Sequence, residues 1–121
     1  EMILIKDNHL KIMGGYFKLQ KIPKGYKVEI ESQNLKEFIR ALSFKPDVIM
    51  LDNMSIPDIK KAVKIRDSLR VNCRSCLTKL EASGGINLSN VKKYAATGVD
   101  LISIGELTDS VESADISLEV L

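Results

Sequence analysis

Several short apolar runs of this 121-residue sequence are followed at once by residues that could bind a charged ligand. Short apolar runs of this kind are typical of β-strands. The residues that follow them include one cation, two carboxylates and two glycine turns. In chain order they are Lys6, Glu31, Asp52, the segment Ser83-Gly84-Gly85, and Gly105.

The two glycine turns predict a phosphate site. Glycine after a strand lets backbone N–H groups approach an anion with no Cβ in the way. A helix opening near Asn87 would add the positive end of its dipole. We therefore expect Ser83-Gly84-Gly85 and Gly105 to form a phosphate cradle on two neighbouring late strands, a position that barrel enzymes often use.

The two carboxylates predict a second kind of contact. Glu31 and Asp52 end successive strand segments, so we expect them to lie close together. Paired carboxylates can bind Mg²⁺ and sugar hydroxyls, or stabilise a developing positive charge. Lys6 would supply a positive charge for an anionic substrate.

Each of these features also has a purely structural interpretation. A single Ser-Gly-Gly is most often a turn, and one Asp after a strand usually caps a helix. Glu29 and Glu31 have the same parity on one strand, so on an open sheet both could be solvated. The coincidence of all the clusters at one end of one sheet favours a site for a phosphate ligand. It does not specify a reaction.

Helix signals lie between the strand candidates. Asn34 with Glu37 forms a capping-box pattern, Ser55 precedes a second helix, and Asn87 precedes a third that Gly98 ends. Apolar residues at helical spacing define the face of each helix that should be buried. These faces are Leu35, Phe38, Ile39 and Leu42; then Ile59, Ala62, Val63 and Leu69; then Leu88, Val91, Tyr94 and Ala95.

Strands that alternate with helices imply βαβ units and a parallel sheet. Strand ends near Lys6, Glu31, Asp52, Ser83 and Gly105 recur at intervals of 25, 21, 31 and 22 residues. These are compact units beside the roughly 31 residues per unit of an eight-unit barrel. The predicted fold is therefore α/β, a parallel (β/α)-barrel segment of about five βα units of a TIM-like barrel. A last strand is expected from Ile116 to Val120. An open doubly wound sheet is the alternative.

Composition excludes several classes of protein. The formal net charge is only +2, so no basic surface for nucleic acid is expected. No apolar run reaches the roughly 18 residues of a membrane span, and no signal peptide is visible. The chain starts at Glu1 and enters a strand directly, which suggests that upstream sequence is missing.

Two cysteines, Cys73 and Cys76, form one C-x-x-C. This is half a zinc site, and the only histidine, His9, is distant in sequence and more readily structural than catalytic. The pair also lies in a polar loop before a strand, not at the start of a helix as in thioredoxins. We interpret it as a reduced loop, which fits a cytoplasmic protein.

Read together, these segments resemble quinolinate phosphoribosyltransferase, the decarboxylating nicotinate-nucleotide pyrophosphorylase. The matching motifs run in family order over nearly the whole chain. They are specific together, although each alone is not. They are Ile3-Leu4-Ile5-Lys6-Asp7-Asn8-His9, Val28-Glu29-Ile30-Glu31, Met50-Leu51-Asp52-Asn53-Met54, Leu80-Glu81-Ala82-Ser83-Gly84-Gly85-Ile86, Ala95-Ala96-Thr97-Gly98-Val99-Asp100, Ile102-Ser103-Ile104-Gly105 and Ala114-Asp115-Ile116-Ser117-Leu118.

The resemblance implies a reaction. Members of the family are pentosyltransferases that transfer phosphoribose from phosphoribosyl pyrophosphate to the quinolinate nitrogen. Carbon dioxide and pyrophosphate leave, which gives nicotinate mononucleotide for NAD biosynthesis, and Mg²⁺ is required. The enzymes act as dimers whose active sites use both subunits. Residues 1–121 would then be the C-terminal part of the barrel domain, without the N-terminal domain and the early barrel strands.

The resemblance also implies roles for individual residues. Lys6, Glu31 and Asp52 would be catalytic, with Lys6 binding anionic substrate and the two carboxylates near the ribose and the metal. Glu31 and Asp52 would be the Mg²⁺ ligands. The phosphate would be bound by residues of the two glycine turns, which are Ser83, Gly84, Gly85, Ile104, Gly105 and Glu106.

Three departures from the family pattern qualify this assignment. Glu106 and Asp109 stand where the family commonly has a small residue and a histidine, and an acid beside a phosphate loop would repel the ligand unless it points away. Residues 71–77 look like a short insertion. The arginines that bind the pyridine carboxylates in the family are not in this sequence, so the chain alone should be nearly inactive.

Two further hypotheses stay open from the sequence. One is a related enzyme with the same barrel, such as nicotinate phosphoribosyltransferase or a molybdenum-associated pyrophosphorylase-like protein. The other belongs to a different class, a non-catalytic phosphate-binding or assembly module.

Overall fold

A computed structural model describes residues 1–6, 22–72, 78–105 and 116–119. Within these ranges, strands and helices alternate through most of the chain. The strands are β1 (Met2–Ile5), β2 (Lys27–Ser32), β3 (Val48–Asp52), β4 (Lys79–Ser83), β5 (Leu101–Ile104) and β6 (Ile116–Glu119). The helices are α1 (Leu35–Leu42), α2 (Ile56–Asn72) and α3 (Val91–Ala95).

The strands form one sheet in sequential order, β1-β2-β3-β4-β5-β6. Pairing is parallel from β1 to β5, and β6 is antiparallel to β5. A doubly wound sheet would reverse its strand order at a switch point, whereas a barrel keeps its strands in sequence. The predicted α/β class with a parallel sheet is confirmed, and the open doubly wound alternative is not what forms. The antiparallel β6 was not foreseen.

The two faces of the sheet have different roles because side chains alternate along each strand. One face, which we call the helix face, supplies the strand residues of the apolar core. They pack with Phe38 of α1 and with Ile59, Ala62 and Val63 of α2. The strand residues of this face include Ile30, Ile49, Leu51, Leu80, Ala82, Ile102 and Ile104, all of which are buried.

The opposite face, which we call the site face, contains the polar residues of the strands. The strand register puts Glu31, Met50 and Glu81 side by side, and Asp52 beside Ser83. Glu29 lies beside Val48 in the next row toward the amino ends. The candidate functional residues therefore lie on the face that does not pack against the helices.

Helix α1 begins as the sequence predicted. The side chain of Asn34 accepts a hydrogen bond of 2.9 Å from the N–H of Glu37, whose carboxylate accepts one of 2.8 Å from the N–H of Gln33. This satisfies two N–H groups that a helix start leaves free. The predicted buried face was wrong at Ile39, which is exposed, because Ala41 takes the buried position beside Phe38.

Helix α2 begins after Ser55, whose carbonyl and side chain accept from the N–H groups of Ile59 and Asp58. Leu69 was predicted to be buried and is exposed, since Arg66 occupies the buried side of that turn instead. No helix in the described part of the chain is long and apolar enough to cross a membrane.

Arg66 joins α2 to the start of β5 and is only 4 % exposed. Its guanidinium forms an ion pair with Asp100. It also donates hydrogen bonds to the Asp67 carboxylate at 2.8 Å and to the carbonyl of Gly98 at 3.2 Å. Asp100 in turn accepts from the N–H of Leu80 in β4 at 2.8 Å. One buried cation therefore connects a helix, a helix end and two strands.

We expect Arg66→Ala to lower the free energy of unfolding by roughly 3 kcal/mol, because it leaves Asp100 without its cation in a partly buried site. Urea unfolding followed by circular dichroism measures this. Lys64→Ala, at an exposed position of the same helix, is the control and should change stability by less than about 0.5 kcal/mol. A loss at Arg66 no larger than at Lys64 would contradict the proposed connection.

Candidate functional site

The predicted site residues within the described ranges lie at the carboxyl ends of the parallel strands. Lys6 follows β1 and is exposed, Asp52 ends β3 and is half-buried, and Ser83 ends β4 and is half-buried. Gly105 follows β5 and is exposed. Parallel pairing brings these ends to one edge of the sheet, which is where active sites of such folds form.

Glu31 and Asp52 lie on the neighbouring strands β2 and β3. Glu31 is paired with Met50, and Asp52 stands two residues further along β3 on the same face. Standard strand dimensions put such diagonal neighbours roughly 8 Å apart at Cα. Both carboxylates are half-buried. They can therefore reach one ion or two neighbouring hydroxyls of a sugar from the same side.

The glycine loop, residues 83–86, has a backbone that only glycine adopts readily. Gly84 has φ 89° and Gly85 has φ 66°. Two carbonyls of the loop are occupied: that of Ser83 accepts from the N–H of Asn53 at 2.9 Å, and that of Gly85 accepts from Asn90 Nδ2 at 3.0 Å. The N–H groups of residues 84–86 donate to no described residue. Because two of its carbonyls are already hydrogen-bonded and its N–H groups have no described partner, the loop offers the hydrogen-bond donors that an anion requires.

The helix expected to reinforce this loop was predicted to begin too early. Asn87 makes a turn, accepting from the N–H groups of Ser89 at 2.9 Å and Asn90 at 3.2 Å. The helix itself, α3, begins only at Val91 and has five residues. Its dipole is therefore not a significant part of the anion site. Leu88, predicted to be buried, is exposed on this turn, whereas Val91, Tyr94 and Ala95 pack against the core as expected.

A buried carboxyl network adjoins Glu31 on the site face. Glu29 and Glu81 are 6 % and 7 % exposed and hydrogen-bond to each other, and Ser103 Oγ donates to Glu81 Oε1. Glu29 Oε1 has no partner among the described residues. Neither Glu81 nor Ser103 was predicted from the sequence to have a role in the site. The signal that could have revealed them was a polar residue at alternate positions of otherwise apolar strands.

This network changes the acidity of Glu29. Burial raises the pKa of Glu29 from 4.5 to about 8, with further contributions from the hydrogen bond to Glu81 and from the negative charges of Glu81 and Glu31. Burial and the neighbouring negative charges therefore both favour the protonated form of Glu29.

Of the other residues named in the sequence predictions, Ile104 lies within the described ranges. The Ile104 side chain is 5 % exposed and belongs to the helix face, so only its backbone could touch a phosphate. His9, Cys73, Cys76, Glu106 and Asp109 lie outside the described residues.

Comparison with known proteins decides the family. The model of the quinolinate phosphoribosyl transferase C-terminal domain matches residues 1–119. The chain belongs to this family. A probable nicotinate-nucleotide pyrophosphorylase [carboxylating] of Methanocaldococcus jannaschii is 39 % identical over 127 residues, which cover 100 % of this chain and 44 % of the relative. The corresponding enzyme of Mycobacterium leprae is 35 % identical, covering 97 % of this chain and 41 % of the relative.

Solved structures of the family share the fold. The nicotinate-nucleotide pyrophosphorylase from Ehrlichia chaffeensis superposes with a TM-score of 0.76 at 40 % identity, covering 95 % of this chain and 40 % of that protein. The one from Francisella tularensis gives 0.77 at 35 % identity, covering 97 % and 40 %. The resemblance drawn from the sequence motifs is confirmed. This chain spans less than half the length of these relatives.

The donor set for a metal in this family member consists of few protein groups. No group of three or more His, Cys, Asp or Glu side chains within the described ranges could hold a metal ion. Glu31 and Asp52 provide two carboxylates at one edge. Mg²⁺ is commonly bound by one or two carboxylates together with substrate phosphates and water. The residues present therefore fit a metal that arrives with a phosphorylated ligand.

The acidity of Glu29 predicts a pH dependence of stability. Because its pKa is higher in the folded chain, the folded state binds more protons than the unfolded state between pH 4.5 and about 8. Stability should therefore fall as pH rises through this range, by about 5 kcal/mol at most. Urea unfolding at several pH values measures the slope.

Glu29→Gln removes the titrating group and should flatten most of this slope. The control is Glu1→Gln, which makes the same change at an exposed position and should leave the slope intact. If Glu29→Gln loses stability with pH as steeply as the parent chain, the proton is not held at Glu29.

Proposed function

We propose that the protein containing this chain transfers phosphoribose from phosphoribosyl pyrophosphate to quinolinate, with loss of carbon dioxide, in NAD biosynthesis. The observation that supports this most strongly is the family match over residues 1–119, joined to an anion loop and a carboxylate pair at the same sheet edge. The relatives are named as nicotinate-nucleotide pyrophosphorylases, which favours this reaction over nicotinate phosphoribosyltransferase.

In this proposal each cluster on the site face binds a particular part of the substrates. The free N–H groups of the glycine loop bind the phosphate of the phosphoribosyl group, and Gly105 lies across from them after β5. Glu31 and Asp52 bind the ribose hydroxyls and stabilise the positive charge that develops at the anomeric carbon as pyrophosphate leaves. Lys6 neutralises anionic substrate at the exposed end of β1.

Mg²⁺ is the cofactor in this proposal. When bound, it neutralises the charge of the pyrophosphate leaving group. Glu31 and Asp52 would hold it, together with phosphate oxygens and water. From the same position Glu31 and Asp52 also contact the ribose hydroxyls.

The quinolinate side of the site forms no part of the described residues. A dicarboxylate needs cations, and we propose that these come from the other part of the barrel and from a second subunit in a homodimer. We also propose a cytoplasmic location, for which the two cysteines without a disulfide framework are the support.

Phosphoribosyl pyrophosphate with Mg²⁺ should bind to this chain, and Asp52→Asn should weaken that binding at least tenfold because a metal ligand is lost. Isothermal titration calorimetry measures both affinities. Asp47→Asn is the matched control at the opposite end of β3, where its side chain accepts from the N–H of Val28 at 2.7 Å. That variant should bind like the parent. Equal binding by all three chains would argue against the assigned role of Asp52.

The chain alone should form no nicotinate mononucleotide from quinolinate. A chimera in which it replaces the matched segment of the Methanocaldococcus jannaschii relative should form it, because the chimera restores the rest of the site. Chromatographic detection of the product tests both. Product from the isolated chain, or none from a folded chimera whose parent is active, would each contradict the proposal. Binding of phosphoribosyl pyrophosphate with no turnover in the chimera would favour a non-catalytic module.

A further inference from the structure

One residue between the carboxylate pair and the glycine loop adopts an unusual backbone conformation. Asn53 directly follows Asp52 and has φ 52°. Only one other non-glycine residue in the described part of the chain, Lys45, has a positive φ. Left-handed conformations cost free energy in residues with a Cβ, and Asn tolerates them better than most. Strained conformations of this kind cluster at functional sites.

Asn53 contacts the glycine loop in two ways. Its N–H donates to the carbonyl of Ser83 at 2.9 Å. Its side chain lies over Gly84, where a Cβ added to the glycine would be 2.7 Å from Asn53 Cγ and 3.0 Å from Asn53 N. The close approach therefore requires glycine at position 84. The side chain of Asn53 hydrogen-bonds to no described residue, so packing on Gly84 is its observed contact.

We propose that Asn53 is a positioning residue that holds the glycine loop in its anion-binding conformation and at a set distance from Asp52. This rests on the proposed function. Its left-handed backbone turns the chain after β3 toward β4, so that the N–H of Asn53 holds the carbonyl of Ser83. Its side chain then limits the positions open to Gly84. The N–H groups of residues 84–86 stay directed away from the sheet, and the phosphate and the carboxylates are held in one geometry.

The position of Asn53 explains why a single residue can do this. Asp52 is paired with Ser83 in the sheet, so the two loops that follow start side by side. On the other side, Asn90 holds the carbonyl of Gly85 at 3.0 Å. The glycine loop is thus held at both ends, by Asn53 at its start and by Asn90 at its end. Only the Asn53 contact also connects it to the carboxylate pair.

The test compares Asn53→Gly with Lys45→Gly. Glycine accepts a positive φ at both positions, so neither variant should lose stability through backbone strain. Lys45 precedes β3, at the opposite end of the strand from the candidate site. We expect Asn53→Gly to weaken binding of phosphoribosyl pyrophosphate with Mg²⁺ by about tenfold, the size of loss typical of residues that orient a binding group. Lys45→Gly should bind like the parent.

A second measurement does not depend on a ligand. Backbone ¹⁵N relaxation by NMR reports how well residues 84–86 are held, and their order parameters should be lower in Asn53→Gly than in Lys45→Gly. A double-mutant cycle adds a steric readout: Gly84→Ala should be less damaging in the Asn53→Gly background, because the contacting side chain is gone.

The outcomes separate this proposal from the proposed function. If the parent chain binds no phosphoribosyl pyrophosphate, the proposed function fails, and lower order parameters with coupling in the cycle would still support the positioning role. If the parent binds and Asn53→Gly binds equally well, with order parameters unchanged at residues 84–86, the positioning role is overturned and the proposed function stands.

Discussion

Parallel pairing of strands in sequential order is the constraint on which the rest of this structure depends. Sequential order puts the crossover helices on one side, so one sheet face becomes the apolar core and the other remains open to polar residues. Because side chains alternate, Glu31 and Asp52 share the open face with Glu81 and Ser83. Parallel direction then brings the strand ends to one edge. The carboxylate pair and the glycine loop are neighbours for these two reasons alone.

The same arrangement has a cost, because some polar groups of the site face are buried away from water. Glu29 hydrogen-bonds to Glu81, which also accepts from Ser103 Oγ, yet Glu29 Oε1 has no partner among the described residues. Burial favours the protonated form of Glu29 and so keeps one negative charge off the site face.

Local sequence patterns predicted most of the strands and helices, whereas tertiary packing decided which helix residues are buried. The capping box at Asn34 and the apolar run before Asp52 are local signals, and both elements formed where expected. Helical periodicity predicted that Ile39 and Leu69 would be buried, but both are exposed, and Ala41 and Arg66 are buried instead. Burial of a helix residue depends on the element that packs against the helix, which periodicity does not show. Arg66 is buried only because Asp100 and the carbonyl of Gly98 are there to receive it. Those partners are 32 and 34 residues away in sequence.

The candidate site shows the same division. Residue types at strand ends predicted the glycine loop and the carboxylates. The contacts of Asn53 and Asn90 to the loop carbonyls come from two other segments, and the N–H groups of residues 84–86 donate to no described residue. The arrangement also answers a problem of charge. Two carboxylates beside a polyanion repel it, and Lys6 alone cannot offset them. Neutral backbone N–H groups bind phosphate without adding charge, and a metal held by Glu31 and Asp52, as proposed, would offset the repulsion. The loop and the carboxylate pair are therefore useful to each other only when their separation is held constant.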